Sequence, residues 1–113
     1  MISEYTKNDL APILNIINNA ALKYKGIIPD CCWKEPYMPK QELINEFDNG
    51  VRMFGYDKDN RLLGVMGIQE VENITLIRHA YTYSDYQGMG IGKSLLQYLF
   101  KINKSSSLLV GTW

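Results

Sequence analysis

The sequence has one histidine, two cysteines and no long apolar run, and each shortage excludes a class of protein. The two cysteines, Cys31 and Cys32, are adjacent, which fits neither a disulfide framework nor the spaced cysteine pairs of a zinc site. No apolar stretch approaches the roughly 20 residues that cross a bilayer, and the N-terminus lacks the basic-then-apolar pattern of a signal peptide. We therefore expect half-buried thiols, no metal, no membrane partner and a cytoplasmic location.

The chain also lacks an excess of either charge, since 12 Lys and Arg residues balance 12 Asp and Glu residues. No overall electrostatic field then attracts nucleic acid, and any phosphate site has to be local. With 113 residues, 46% of them hydrophobic, the chain can bury one modest core. The expectation is a single domain over residues 1–113 that has no nucleic-acid partner.

Strand and helix patterns alternate in the first half of the chain without a repeat or a linker. Ile2 to Tyr5 has the pattern of a short strand, and residues 6–9 form a capping-box pattern that opens an amphipathic helix. After an irregular loop, Pro39 is predicted to open a second helix at its first position, and Gly50 to end it.

Three strands are predicted next, at Val51–Asp57, Arg61–Glu70 and Ile74–Tyr83, and their short turn signals make them antiparallel. A third helix follows Gly90, and the last strand, Ser107–Trp113, would return parallel to the strand before that helix. The apolar face predicted for this helix consists of Ile91, Leu95, Leu96, Leu99 and Phe100. The fold class is therefore α/β of the α+β type, a mixed and mostly antiparallel sheet flanked by helices.

Three alternate glycines, Gly88, Gly90 and Gly92, fall between the third of these strands and the third helix. A helix N-terminus has unpaired backbone N–H groups and the positive end of the helix dipole, both of which favour an anion. Because glycine has no side chain, the anion can approach the main chain closely. The stretch therefore predicts a phosphate-binding turn.

Two familiar nucleotide motifs do not fit the spacing. A dinucleotide fingerprint, G-x-G-x-x-G, needs glycine where Lys93 or Leu95 stands, and a Walker A loop needs glycine at Gln87. Gly92-Lys93-Ser94 does match the end of a Walker A loop, so a P-loop-like nucleotide binder stays open as a weaker interpretation. It requires a strand that ends in an acidic metal ligand, whereas the last strand runs into Gly111.

The pattern Q/R-x-x-G-x-G/A fits completely, as Gln87-Gly88-Met89-Gly90-Ile91-Gly92, and resembles motif A of the GNAT N-acetyltransferase superfamily. The predicted order of elements resembles that fold almost from end to end. The resemblance implies that acetyl-CoA is the co-substrate, lying between the strand before motif A and the strand after its helix. The residues that it implies in cofactor binding are Ala80, Tyr81, Thr82, Gln87, Gly88, Met89, Gly90, Ile91, Gly92, Lys93 and Ser94.

The same resemblance implies direct transfer of an acetyl group to a primary amine, but the sequence leaves the catalytic residues unknown. An amine with a pKa of about 10.4 has to lose a proton before it attacks. His79 is the only histidine, and strand alternation puts it on the face of Ile77 and Tyr81, where we predict a structural or surface role. Glu70 and Glu72 could act through water, although an exposed pair beside a turn is more often solvated.

The acceptor, a small-molecule or protein amine, is predicted to border the loop before the second helix. There Trp33 and Tyr37 could pack an aliphatic arm, and Glu35 could attract its ammonium. The competing interpretation is that these aromatic residues only anchor the loop to the core.

In the family, the acid that protonates the leaving thiolate is usually a tyrosine on a helix beyond the last strand predicted here. We therefore expect a domain that is incomplete at its C-terminus, lacks that helix and the closing strands, and has low activity. An open sheet edge near Leu108, Leu109, Val110 and Trp113 could permit self-association. The alternative function is a non-catalytic acyl-CoA- or nucleotide-binding module.

Overall fold

The computed structural model describes residues 1–22, 26–27, 36–72 and 74–102, and the backbone of residues 107–110. Its strands are β1 (Ile2–Tyr5), β2 (Arg52–Lys58), β3 (Arg61–Val71), β4 (Ile74–Thr82) and β5 (Ser107–Val110). Its α-helices are α1 (Leu10–Ala21), α2 (Lys40–Asp48) and α3 (Ile91–Ile102). The predictions for Cys31, Cys32, Trp33, Glu35 and Gly111–Trp113 concern residues outside these ranges.

The five strands form one sheet in the order β1-β2-β3-β4-β5. The first three pairings are antiparallel, and β5 pairs with β4 in parallel after the α3 crossover. The prediction of a mixed, mostly antiparallel sheet flanked by helices is confirmed. Within the described residues, no helix combines the length and apolar character needed to span a membrane.

Local signals in the sequence fix the ends of several elements. The Thr6 side chain accepts a hydrogen bond from Asn8 N, and the Asp9 carboxylate accepts one from Thr6 N, which forms the predicted capping box. Asp59 and Asn60 both have positive φ, as the tight hairpin between β2 and β3 requires. Pro39 occupies the N-cap position of α2, one residue before the predicted first helical position, and Gly50, with a φ of +93°, follows the end of the helix.

The sheet carries a separate apolar core on each face, because side chains alternate along β2 and β3. The consecutive residues Met53 and Phe54 of β2 belong to different cores, and so do the consecutive residues Val65 and Met66 of β3. The core shared with α1 and α2 includes Ile13, Ile16, Ile17, Leu43, Met53 and Val65. The core shared with α3 includes Phe54, Met66, Ile68, Ile77, Ile91, Leu95 and Leu99.

The apolar face predicted for α3 is narrower in the structure. Ile91, Leu95 and Leu99 are buried, but Phe100 is 57% exposed. Phe100 follows Leu99 by about 100° around the helix, so its side chain points past the edge of the buried stripe. The prediction that Phe100 faces the core is wrong.

The alternation predicted for β4 is also wrong, because the strand contains a β-bulge. Gly67 of β3 pairs with Arg78 and Val65 pairs with Tyr81, so His79 and Ala80 together oppose the single residue between them. His79 has a φ of +57°, a conformation that costs a non-glycine residue on the order of 1–3 kcal/mol. The extra residue reverses the faces, so Ile77 packs in the α3 core and Tyr81 packs against the α1–α2 core.

Gly64 allows the first residue of α3 to pack closely on β3. A Cβ at Gly64 would lie 2.7 Å from Ile91 Cγ2 and 3.3 Å from Thr82 Oγ1. We predict that Gly64→Ala lowers the free energy of unfolding by about 1–3 kcal/mol, because the branched isoleucine cannot move aside without strain. Urea denaturation measures the change.

The control for this prediction is the same substitution in an Ile91→Ala background, where the clashing Cγ2 is absent. There the additional cost of Gly64→Ala should largely disappear. An equal cost in both backgrounds would show that contact with Ile91 is not the cause.

Candidate functional site

An open cavity of about 400 Å³ lies where β4 ends and α3 begins. Its walls come from the end of α1, the last residues of β4 and the glycine-rich loop. The lining residues are Ala20, Ala80, Tyr81, Thr82, Tyr86, Gln87, Gly88, Gly90, Ile91, Gly92 and Lys93. Its volume falls in the range of small-molecule sites.

The cavity brings together all the predicted cofactor-binding residues except Met89 and Ser94. Met89 is 67% exposed, and Ser94 lies beyond the cavity with its N–H bonded to Gly90 O at 2.9 Å. Two lining residues, Ala20 and Tyr86, are absent from the prediction. For Ala20, the only feature of the sequence that could have indicated a place in the cavity wall is its small size at the end of an apolar helix face. No feature of the sequence indicated such a place for Tyr86.

The glycine loop takes a conformation that favours glycine at two positions. Gly88 and Gly90 have φ values of +81° and +83°, which strain any residue with a Cβ. Gly92 has no such φ, and a Cβ placed on it would meet no atom within 4 Å. The backbone is therefore open to the cavity at Gly92.

The start of α3 supplies donors for an anion. Ser94 N donates to Gly90 O with the i to i−4 spacing of an α-helix. The N–H groups of residues 91–93 come before this bond, so they have no intrahelical acceptor. Ile91, Gly92 and Lys93 all line the cavity, and the lysine adds a positive charge. The N-terminal end of the 12-residue helix adds the favourable dipole.

The opposite wall is the end of β4. The β4–β5 pairing runs from Ile74 with Ser107 to Ile77 with Val110. Beyond Ile77, the described pairings of β4 are those of Arg78, Tyr81 and Thr82 with β3, and Ala80, Tyr81 and Thr82 line the cavity. Gln87 Nε2 donates to Thr82 O at 3.3 Å, which ties the loop to the end of the strand.

The short turn that precedes the glycine loop is held from two sides. The Arg61 guanidinium lies 5.6 Å and 5.7 Å from the ring centroids of Tyr83 and Tyr86. On the other side, Asn19 Oδ1 accepts a hydrogen bond from Ser84 N at 3.1 Å. These contacts position Tyr86, which forms part of the cavity wall.

Tyr37 is the one predicted acceptor residue within the described ranges. Its ring meets the ring of cavity residue Tyr81 edge-on, with centroids 6.5 Å apart and an interplanar angle of 70°. Asn18 holds the adjoining backbone, since its Nδ2 donates to Met38 O at 3.1 Å and its Oδ1 accepts from Met38 N at 2.7 Å. Tyr37 is thus fixed beside the β4 wall of the cavity.

The acidic pair considered as a base lies far from the cavity. Glu70 pairs with Thr75, and Glu72 is in the turn that leads into β4. The cavity begins at Ala80, six residues along the strand from the first residue of β4, or about 20 Å. The structure therefore separates Glu70 and Glu72 from the predicted chemistry.

His79 instead makes contact with α2. Its Nε2 lies 2.6 Å from Glu46 Oε1, and the two side chains are 15% and 16% exposed. Neither the pairing nor the involvement of Glu46 was predicted from the sequence. The bulge that turns His79 toward α2 leaves no sign in the hydrophobic pattern.

A protein-family model described as the acetyltransferase (GNAT) family matches residues 17–108. A search of curated proteins found no match. Among solved structures, PaiA N-acetyltransferase from Thermoplasma acidophilum, in complex with coenzyme A, is similar at 22% identity with a TM-score of 0.72. The match covers 90% of this chain and 70% of that one.

A GNAT-family acetyltransferase from Staphylococcus aureus Mu50 is 16% identical with a TM-score of 0.73, over 99% of this chain and 73% of that one. The ribosomal-protein-S18-alanine N-acetyltransferase from Escherichia coli is 18% identical with a TM-score of 0.68. That match covers 89% of this chain and 57% of the E. coli chain. The structural similarities establish the fold, and the match to the family model over residues 17–108 shows that this chain belongs to the GNAT acetyltransferase family.

Proposed function

We propose that this chain is an acetyl-CoA-dependent N-acetyltransferase that transfers the acetyl group to a primary amine by direct attack. The observation that carries the proposal is the cavity in which the start of α3 faces the β5-side edge of β4. One wall suits a diphosphate and the other suits an extended chain with amide groups. Coenzyme A has both parts.

The loop and the first turn of α3 would hold the pyrophosphate. The backbone N–H groups of residues 88–93 are the proposed donors, with Lys93 as an additional positive charge. The glycines fit this role, because Gly92 lines the cavity and no atom lies within 4 Å of the position that its Cβ would take, which leaves room for a phosphate beside the backbone. Gln87 would act indirectly, by tying the loop to Thr82.

The edge of β4 would hold the pantetheine arm. Ala80, Tyr81 and Thr82 line the cavity just beyond Ile77, where the described β4–β5 pairing ends, so this part of the strand is the proposed partner for the amides of the arm. The thioester would then lie beside β4. A strand N–H near Thr82 is the candidate donor to the oxygen that becomes negative during attack.

The acceptor would enter from the side of Tyr37 and Tyr81, opposite the glycine loop. We propose that Trp33 and Glu35, which precede Tyr37 in the chain, border this entrance. An amine acceptor is supported by the E. coli relative, which is a ribosomal-protein-S18-alanine N-acetyltransferase. The complex of the T. acidophilum relative with coenzyme A supports the cofactor assignment.

A non-catalytic acyl-CoA-binding module is the second candidate, favoured by the distance of Glu70 and Glu72 from the cavity. Incubation with acetyl-CoA and a mixture of alkylamines, polyamines and peptides separates the two functions. A transferase releases free thiol only when an amine is present, and mass spectrometry detects the acetylated amine. A binding module shows CoA binding without thiol release.

The cofactor assignment predicts that Gly92→Val weakens CoA binding at least about tenfold, or roughly 1.4 kcal/mol. The valine side chain would occupy the space of the pyrophosphate, while the backbone at Gly92 tolerates a Cβ. Calorimetry measures the affinity. Gly90→Val is less informative, because the φ of +83° would strain the loop as well.

Gln97→Val is the matched control, since it places the same β-branched residue on the exposed side of α3. It should bind CoA with unchanged affinity. Wild-type affinity in a folded Gly92→Val protein would exclude this loop from the site.

The acceptor assignment predicts that Tyr37→Ala raises the KM of the reacting amine about fivefold, as expected for the loss of about 1 kcal/mol of aromatic contact. The KM of acetyl-CoA should change much less. Steady-state kinetics measures both constants, and Tyr37→Phe, which keeps the ring, is the control. Equal increases in the KM of the amine and the KM of acetyl-CoA would show that Tyr37 has only a structural role.

A further inference from the structure

The pair formed by His79 and Glu46 is a strong interaction in a poorly solvated place. The 2.6 Å separation of Nε2 and Oε1 is that of a short hydrogen bond to a carboxylate, and both side chains are mostly buried. Glu46 is held in position because α2 is anchored by Leu43, which is fully buried, and Phe47, which packs on the same core. The orientation of the His79 ring is therefore fixed by a residue of α2 and not by β4 alone.

The bulge places this pair on the side of the sheet where the acceptor is proposed to enter. Without the extra residue, strand alternation would turn His79 toward α3, on the same side as Ile77. With it, His79 faces α2 and shares the side of Tyr81. Unusual backbone conformations of this kind are concentrated at functional sites.

The position of His79 along β4 is also suited to the reaction. His79 comes directly before Ala80, the first strand residue that lines the cavity, and two residues after Ile77, the last described partner of β5. His79 thus lies in the chain between the end of the described β4–β5 pairing and the strand residues that line the cavity. In the proposed function, the pantetheine arm runs along residues 80–82, so His79 is next in the chain to the strand residues beside which the thioester is proposed to lie.

The hydrogen bond selects the ring nitrogen that is able to accept a proton. An ionised carboxylate can only accept a hydrogen bond, so the contact with Glu46 assigns the ring proton to Nε2 and, in the neutral imidazole, the lone pair to Nδ1. Among the described residues, β4 and α2 each supply a charged group near the pair in position. Arg78 Nη2 is 3.9 Å from Glu46 Oε1 while its Nη1 donates to Gln69 of β3, and Glu42 lies one turn before Glu46.

We propose that His79 is the base that deprotonates the acceptor amine, and that Glu46 is the positioning residue that orients the ring. The inference rests on the proposed transferase function. Nδ1 takes one proton from the ammonium, and the neutral amine attacks the thioester carbon. A C–N bond forms and the C–S bond breaks. The attacking nitrogen then loses a second proton to the departing thiolate, and His79 releases the first proton to solvent.

The test compares His79→Asn and Glu46→Gln with the wild-type chain. Asparagine tolerates a positive φ, so it preserves the bulge, and glutamine keeps a hydrogen bond to the ring without the charge. The probes are ethylamine, which is almost fully protonated at pH 7, and 2,2,2-trifluoroethylamine, a weaker base of similar size. Glu70→Gln is the matched control, because it neutralises a carboxylate at the far end of β3.

We expect His79→Asn to lower kcat/KM for ethylamine at pH 7 by a factor of about 10² to 10⁴. The loss should be much smaller for trifluoroethylamine, because that amine is already neutral and needs no base. Glu46→Gln should show the same dependence on the amine with a loss of about tenfold. Glu70→Gln should match the wild-type chain, and CoA affinity should be unchanged in all three variants.

Equal losses for the two amines, or no loss, would overturn the role of His79 as base while leaving the transferase function intact. If His79→Asn does not fold, the amine dependence of Glu46→Gln decides in the same way. Absence of thiol release by the wild-type chain with the two probes and with the mixture of alkylamines, polyamines and peptides, despite CoA binding, would overturn the transferase function and this inference with it.

Discussion

The β-bulge in β4 is the constraint on which the arrangement of the site depends. One extra residue opposite β3 reverses the order in which the following side chains face the two layers of helices. Tyr81 consequently packs with Tyr37 on the α1–α2 side, and Thr82 approaches the Gly64–Ile91 contact on the α3 side. A regular strand would exchange these two faces and separate the residues that now surround the cavity.

The cavity lies where the two layers of the fold meet at one end of β4. α1 contributes Ala20 from near its C-terminal end, and α3 contributes its N-terminal turn. Each helix is fixed by its own core on its own face of the sheet. The relative position of the two cavity walls is thus determined by the sheet between them, and the glycine loop only has to bridge a distance that the cores have already set.

Much of the fold could be predicted from the sequence, because its signals are local. Apolar periodicity, the Thr6 capping box and the Asp59–Asn60 turn each act over a few residues. The glycine loop was recognisable for the same reason, and the structure places most of its residues around one cavity. The roles assigned to them in cofactor binding stay predictions.

The features that could not be predicted depend on contacts between distant segments. The bulge at His79 arises from the register between β4 and β3. The sequence pattern of β4 alone assumes regular alternation and so does not show the extra residue. Glu46 is 33 residues from His79, so only the packing of α2 brings the two together. The exposure of Phe100 is a similar case, because periodicity gives the direction of an apolar stripe and not its width.

Arg61 lies over the rings of Tyr83 and Tyr86 and belongs to the hairpin between β2 and β3. This hairpin therefore affects the position of a cavity wall, although none of its residues lines the cavity. Arg61 directly follows the two-residue turn, so an insertion or deletion in that turn displaces the guanidinium and releases the tyrosine that closes the cavity wall. Turn length at a surface hairpin is among the easiest features for evolution to change. The fold therefore contains a means of altering the shape of the cavity while every residue that lines it is kept.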